Sequence, residues 1–392
     1  MQIITDENIP YVQEAFSSLG EVHTVVGRHL KHADLGMAEV LLVRSVSQVD
    51  EKLLAGSAVR FVGTATIGLD HIDLEYLQQE SIGFASAPGS NATSAAEYVI
   101  SALLITAERQ GFQLSDKTVG IIGCGNVGSR VFSKLRALGV KCVIYDPLLQ
   151  EMDSQIEFGN QKQFPISNFQ FPYTDLDALL SADIITLHTP LVKTGHYPTY
   201  HLVDTHFLAQ LRDDVILVNS SRGAVIDETA LLKVLKVRPA MTVILDVWQN
   251  EPLINLSLLQ RAALGTPHIA GYSFDGKVRG TEMLYAAVCD YFQHTPAWQI
   301  QSCLPTPPLT RLSFSKNVDD NVAIQTAVMA CYDVRRDDAA LRRISQHPSQ
   351  SFDNFRKHYP IRREWSGVEI KLPKEKLVLA ARLRGLGFKI VL

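Results

Sequence analysis

Apolar residues along this chain come in short runs separated by polar stretches of helical length. Over the first ninety residues the runs Ile3–Thr5, Val22–Val26, Val40–Val43, Phe61–Val62 and Ile82–Ser86 are mostly rich in β-branched or aromatic residues and bounded by Gly, Asp or Ser. Such runs predict strands, and their alternation with helical segments predicts an α/β unit with a parallel sheet. Asn91–Arg109 predicts one long helix, capped at Asn91 or Thr93 and stopped by Gly111. Beyond it the runs become more continuously apolar: Thr118–Ile122, Lys141–Tyr145, Ile184–Leu187, Val215–Asn219 and Thr242–Val247. These read as strands covered on both faces, hence a second α/β unit. A polar, aperiodic stretch between Leu148 and Tyr173 reads as a surface insertion. After a helix at Gly276–Phe292 comes a proline-rich linker, "HTPAWQIQSCLPTPPLT". The last eighty residues hold helical runs at Ala323–Tyr332 and Asp337–Ile344, basic clusters and a closing "KIVL" strand, and predict a smaller α+β module.

Composition narrows the class. A chain of 392 residues accommodates two or three domains, and 46% hydrophobic with 20% charged residues is ordinary globular composition. A net charge of −4 is too small to suggest nucleic acid or a membrane surface as partner. No apolar run reaches membrane-spanning length, and "MQIITDENIPYV" lacks the pattern of a signal peptide. Cys124, Cys142, Cys289, Cys303 and Cys331 show no C-x-x-C spacing, so neither a disulfide framework nor a zinc site is expected, and a reduced, cytoplasmic setting is. His196, His201 and His206 recur at an interval that fits neither a helical face nor a usual zinc pattern, so no metal is expected there.

The chemistry begins at "KTVGIIGCGNVGSRV". Gly123, Gly125 and Gly128 form G-x-G-x-x-G between a predicted strand and a predicted helix, the context a dinucleotide site requires. Gly123 permits the tight turn, Gly125 lets backbone approach a pyrophosphate at the helix N-terminus, and Gly128 lets helix and strand pack closely. Asn126 and Val127 lie on the same turn. Asp146, about 20 residues on, sits where a carboxylate takes the ribose hydroxyls and repels a 2′-phosphate, which favours NAD over NADP. Three more stretches end predicted strands or follow them closely: "VNSSRGAVID" with Arg222, "LDVWQNEP" with Asp246 and Glu251, and "TPHIAGYS" with His268. Ligands of open parallel sheets bind outside the carboxyl ends of the strands, so these stretches should converge on the cofactor. A lone Arg-Gly or a lone His would ordinarily be structural. Together they supply a fork for a carboxylate, an imidazole to take a hydroxyl proton, and a carboxylate to orient it, the parts needed to oxidise a 2-hydroxy acid. Gly223 is expected to let the chain turn away from Arg222. Arg44, at a predicted strand end, is a candidate for pairing a phosphate, and Gly63 and Gly68 flank a loop whose amides could receive an oxyanion.

The motifs "VGIIGCGNVGSRV", "LHTPL", "LVNSSRGAVID", "LDVWQNEP" and "TPHIAGYS" resemble, in this order, those of the D-isomer-specific 2-hydroxyacid dehydrogenases over roughly Ile3 to Phe292. The resemblance implies a Rossmann-type NAD-binding domain (93–267) inserted in a flavodoxin-like substrate domain (1–92 with 268–290). It places the catalytic trio on Arg222, Glu251 and His268, with His268 as general base. It implies NAD contacts at Ser220, Ser221 and Gly271, Asp246 beside the nicotinamide amide, and Asp175 near the adenosine edge. It makes His188 of "LHTPL" structural. Further segments, "VRSVSQVD", "VGTATIGLDHID", "HIAGYSFDGKVRGT" and the C-terminal "RREW", are similar to a branch of that family acting on a small phosphorylated 2-hydroxy acid. That branch implies substrate contacts at Ser45, Thr66 and Tyr272, and a homodimer through a small C-terminal dimerisation domain (291–392). A dehydrogenase of another 2-hydroxy acid such as 3-phosphoglycerate, and a nicotinamide-sensing binding protein without catalysis, stay open as alternatives. So does an Arg of the C-terminal module pairing the substrate phosphate in a partner subunit.

Overall fold

The computed structural model describes residues 1–156, 171–300, 303–344 and 348–392. The chain forms two compact units, Met1–Thr93 with Tyr272–Thr306, and Ser94–Gly271 with Pro307–Leu392.

The first unit is built on five parallel strands, β1 (Gln2–Asp6), β2 (Glu21–Val25), β3 (Val40–Val43), β4 (Phe61–Thr64) and β5 (Gly83–Ser86). Their order is β2-β1-β3-β4-β5, the flavodoxin-like winding. The period of two along each strand sorts its side chains to opposite faces. Ile3, Val40, Leu42 and Phe61 pack with Leu284 and Tyr285 of the helix Phe274–Tyr291. Ile4, Leu41, Val43 and Val62 pack on the other face with Leu53 and Leu77. Gly63, expected beside an oxyanion-binding loop, lies inside β4. A β-carbon there would stand 2.8 Å from a Leu42 methyl, so this glycine makes room for core packing.

The second unit holds six parallel strands, β6 (Thr118–Ile122), β7 (Lys141–Tyr145), β8 (Ile184–Leu187), β9 (Ile216–Asn219), β10 (Thr242–Leu245) and β11 (Leu264–Gly265). The order β11-β10-β9-β8-β6-β7 reverses direction at β6 and β8, which makes a topological switch point there. Beyond β7 a parallel bridge joins Ile144 to Tyr173. The polar stretch read as an insertion begins as a helix, Pro147–Ile156, and its remainder, 157–170, lies outside the described residues.

The C-terminal segment belongs to this second unit. Three short parallel strands, β12 (Arg311–Ser313), β13 (Glu369–Lys371) and β14 (Lys389–Val391), are joined by helical crossovers. Leu341 and Phe352 from its helices join the core beneath the six-stranded sheet. Its helix Leu377–Leu386 crosses the helix Asn126–Ala137 closely: a β-carbon on Gly385 would stand 2.3 Å from that of Ala137. Lys134 of that helix donates to the Leu386 carbonyl and lies 4.9 Å from the Trp365 ring centre.

Candidate active site

The glycine turn follows β6. Gly123 has φ of +85° and approaches the next strand's loop so closely that a β-carbon would stand 2.9 Å from the His188 carbonyl. A β-carbon on Gly128 would stand 2.0 Å from the Gly123 carbonyl oxygen, so the helix could not close on the strand with any larger residue. Among the described residues nothing lies within 4 Å of a β-carbon on Gly125. This glycine is the N-cap of Asn126–Ala137 and contributes no side-chain cap, which leaves the first turn's amides suited to an anion. Asp146, at the end of β7, ties the turn down by accepting from the Cys124 amide at 2.7 Å and the Leu149 amide at 3.1 Å.

Polar atoms around this turn fit a bound polar ligand. Thr189 Oγ1 and His188 Nδ1 in the loop after β8, and Ser220 Oγ after β9, are buried without a hydrogen-bond partner among the described residues. Buried polar groups ordinarily find one, so these are candidate contacts of a dinucleotide. The other His188 nitrogen meets Thr186 Oγ1 at 2.9 Å. Burial pushes this imidazole down to about 3, so it is neutral across physiological pH.

Arg222, Glu251 and His268 follow three neighbouring strands, β9, β10 and β11. Asn219, 1% exposed, shapes the turn that carries Arg222. Its amide nitrogen donates to the Arg222 carbonyl at 2.9 Å, and its oxygen accepts from the Ser221 amide at 3.1 Å and hydroxyl at 2.9 Å. Gly223 is required for a reason the sequence does not reveal. A β-carbon there would stand 2.0 Å from the Trp248 carbonyl, so the loops after β9 and β10 meet backbone to backbone.

Glu251 Oε2 lies 2.7 Å from His268 Nδ1, and Oε1 accepts from the Trp248 amide at 2.9 Å. Burial alone would raise the Glu251 carboxyl. The His268 charge and hydrogen bond, the Trp248 amide and the Arg356 charge outweigh it and hold the group below the usual glutamate range. With Nδ1–H donated to Glu251, Nε2 is left as the acceptor. His268 itself adopts φ of +57°, a left-handed conformation that costs a non-glycine residue about 1–2 kcal/mol. Asp246 holds it there. The His268 amide donates to the Asp246 carbonyl at 2.7 Å, and the amides of Ile269 and Ala270 donate to its carboxylate at 2.8 and 2.9 Å. Thr266 Oγ1 adds a third bond to that carboxylate at 2.6 Å.

The other expected positions are distributed as follows. Asp246, expected beside the nicotinamide amide, is 1% exposed, and its oxygens are engaged by the His268 loop. Asp175 is exposed and caps the helix Leu176–Leu180 through the Ala178 amide at 2.8 Å. In the first unit, Ser45 is exposed just past β3, and Arg44 donates to the Asn8 carbonyl at 3.3 Å. Thr66 Oγ1 lies 2.7 Å from Thr64 Oγ1, which lies 3.0 Å from His71 Nε2. Tyr272 is half-buried with Lys277 Nζ 4.9 Å from its ring centre. Asn219, Trp248 and His71 lie within the quoted segments, but nothing in the sequence distinguishes their contacts from those of their neighbours.

A parallel sheet with a glycine turn at its switch point, and an Arg, a Glu–His pair and buried unpartnered hydroxyls at neighbouring strand ends, defines an NAD-dependent dehydrogenase class. The model of the NAD binding domain of D-isomer specific 2-hydroxyacid dehydrogenases matches residues 104–270. A family described as a domain of unknown function matches 303–387. Among solved structures, a D-lactate dehydrogenase from Aquifex aeolicus complexed with NAD and lactic acid is 25% identical, with a TM-score of 0.58, covering 74% of this chain and 95% of that one. An NAD⁺-bound 3-phosphoglycerate dehydrogenase from Entamoeba histolytica is 26% identical, with a TM-score of 0.59, covering 77% and 98%. Curated relatives resemble the whole chain. Erythronate-4-phosphate dehydrogenase of Yersinia enterocolitica is 45% identical over 99% of both chains. That of Hahella chejuensis is 43% identical over 100% of this chain and 99% of its own. The chain belongs to the erythronate-4-phosphate dehydrogenase family.

Proposed function

We propose that this chain oxidises 4-phospho-D-erythronate at C2 to (R)-3-hydroxy-2-oxo-4-phosphooxybutanoate, with NAD as acceptor, a step toward pyridoxal 5′-phosphate. The observation that carries the chemistry is the 2.7 Å bond between Glu251 and His268 at the end of adjacent strands. Full-length relatives named for this activity support the substrate.

NAD supplies the two-electron acceptor for C2. Asn126 and Val127 amides at the glycine turn, the hydroxyls of Ser220 and Ser221, and Gly271 would hold it, with Asp146 at the ribose and Asp175 at the adenosine edge. His268 Nε2 takes the proton of the C2 hydroxyl as the C2–H bond breaks and C2=O forms. Glu251 keeps Nδ1 protonated, so only Nε2 can accept, and its charge stabilises the resulting imidazolium. Arg222 offers two parallel donors to the substrate carboxylate and draws charge from the C2 oxygen. Ser45, Thr66 and Tyr272 are assigned to the rest of the substrate. We place the enzyme in the cytoplasm, because its five cysteines show no C-x-x-C spacing and no disulfide framework. We also infer a homodimer through the C-terminal segment, whose Val322, Leu377 and Val378 are more than half exposed.

Turnover of 4-phosphoerythronate compared with 3-phosphoglycerate tests the substrate. The expected preference in kcat/KM is about a hundredfold or more, the scale set by polar groups matched to one substrate. Equal turnover, or a preference for 3-phosphoglycerate, would contradict the assignment. NADH binding with oxidation of neither acid would favour a sensing protein.

A further inference from the structure

The C-terminal segment has no assigned role in chemistry, yet it reaches the loop that carries His268. Arg362, 7% exposed, lies on the chain just before Trp365. Its guanidinium donates through Nη1 to the Ala270 carbonyl at 3.2 Å and through Nη2 to the Ser94 carbonyl at 2.5 Å. It sits 3.7 Å from the Tyr332 ring centre and 3.9 Å from Glu97. Ala270 is two residues past His268, and its amide is one of the two held by the Asp246 carboxylate. On the other side of the loop Asp338 accepts from the Gly265 amide at 2.8 Å. Asp338 is oriented by Arg342, whose other nitrogens donate to the Leu259 and Ala262 carbonyls at 2.9 and 2.7 Å.

The loop from Gly265 to Ala270 is thus gripped at both ends by side chains from the C-terminal segment, and at its middle by Asp246. Two features make a grip necessary. β11 is two residues long, so the sheet itself fixes little of the loop. His268 holds a left-handed backbone that relaxes unless its surroundings over-determine it. A buried guanidinium is also an expensive device for mere cohesion, since apolar packing does as well. We propose that Arg362 is a positioning residue for the reaction, with Asp338 as its counterpart: the C-terminal segment locks the His268 loop so that Nε2 faces the C2 hydroxyl. This rests on the reading of His268 as the base given above.

Arg362→Lys keeps the charge and loses the fork, and Asp338→Asn keeps shape while weakening the opposite grip. Both are measured as full-length holoenzyme against wild type. The expected outcome is a fall in kcat of about ten- to a hundredfold, as for a misplaced reactive group, with KM and the NADH dissociation constant within about twofold. Hydrogen exchange in the protein without substrate should quicken in the peptide spanning residues 264–272 and stay unchanged in the glycine-turn helix. Unchanged kcat with unchanged loop exchange in either folded variant would overturn the proposal. So would a uniform loss of kcat, KM and cofactor affinity, which marks general destabilisation. If Arg362→Lys does not fold, Asp338→Asn carries the test alone. Wild type inactive on 4-phosphoerythronate, with the loop still loosened in the variants, would instead sink the functional reading and leave the brace standing.

Discussion

Two glutamates of the second unit each meet a basic side chain, and their surroundings drive their acidities in opposite directions. Glu251 lies 2.7 Å from His268, with side chains 21% and 33% exposed. Glu97 lies 3.9 Å from Arg362, with side chains 1% and 5% exposed. The charge and hydrogen bond of His268, with further help from Trp248 and Arg356, overcome the burial of Glu251, and its carboxyl stays below the usual range. For Glu97 burial dominates over Lys134, Arg362 and the Trp365 amide, with Glu364 adding to the rise, and its carboxyl is pushed up to about 8. A carboxylate kept charged beside an imidazole that retains access to water can help move a proton. A buried carboxyl whose cation is turned toward backbone carbonyls joins segments of the fold. A glutamate beside a basic side chain suits proton movement in one place and rigidity in the other, and the difference lies in the partner, water access and hydrogen-bond geometry.

The largest way to break this contrast is His268→Asn. Turnover should fall about a thousandfold, the usual worth of a positioned base, while NADH binds as in wild type; steady-state kinetics with a fluorescence titration checks both. Arg222→Lys should cost less, about ten- to a hundredfold in kcat/KM, because charge remains but the bidentate fork is lost. Wild-type kinetics in that variant would remove Arg222 from the site. Gly223→Ala forces a β-carbon against the Trp248 carbonyl, and thermal or urea unfolding should register about 1–3 kcal/mol of overpacking.

The smallest effects are pH slopes, and they separate the two glutamates. Glu97 has its folded value raised, so the folded state holds a proton that the unfolded state has released. Stability should therefore decline as pH rises from the ordinary glutamate range to about 8, by at most about 1.4 kcal/mol per pH unit. Glu97→Gln should flatten that decline. Glu251 has its folded value depressed. Its contribution is full above about pH 4.3, the unfolded value, and is lost as pH falls through the lower folded one. Unfolding midpoints followed across pH in the two Gln variants should show opposite slopes removed; identical profiles would refute the contrast.

Much of the site was readable from the chain because its parts are local. The glycine turn, the strands at Thr118–Ile122, Lys141–Tyr145 and Ile184–Leu187, and the residues at the strand ends each announce themselves within a dozen positions. The Glu251–His268 pair follows from two motifs on neighbouring strands. The buried pair was not readable: Glu97 and Arg362 are far apart in the chain, and although Arg362 opens the segment "RREW", nothing in that segment names its partner. β11, β12 and β13 have two or three residues, too few for any periodicity. The role of Gly223 depends on the Trp248 backbone, and that of Asn219 on a turn whose shape appears only once folded.

In the proposed reaction, the strand-end constellation around His268 oxidises the phosphorylated acid. The most direct test mixes purified protein and its bound cofactor with 4-phosphoerythronate and follows cofactor reduction in a single turnover, so that slow product or NADH release does not mask the chemistry. Reduction should approach one cofactor per chain in wild type and be absent on that timescale in His268→Asn. Equal reduction in the two proteins, or none in wild type with cofactor bound, would contradict this role of His268.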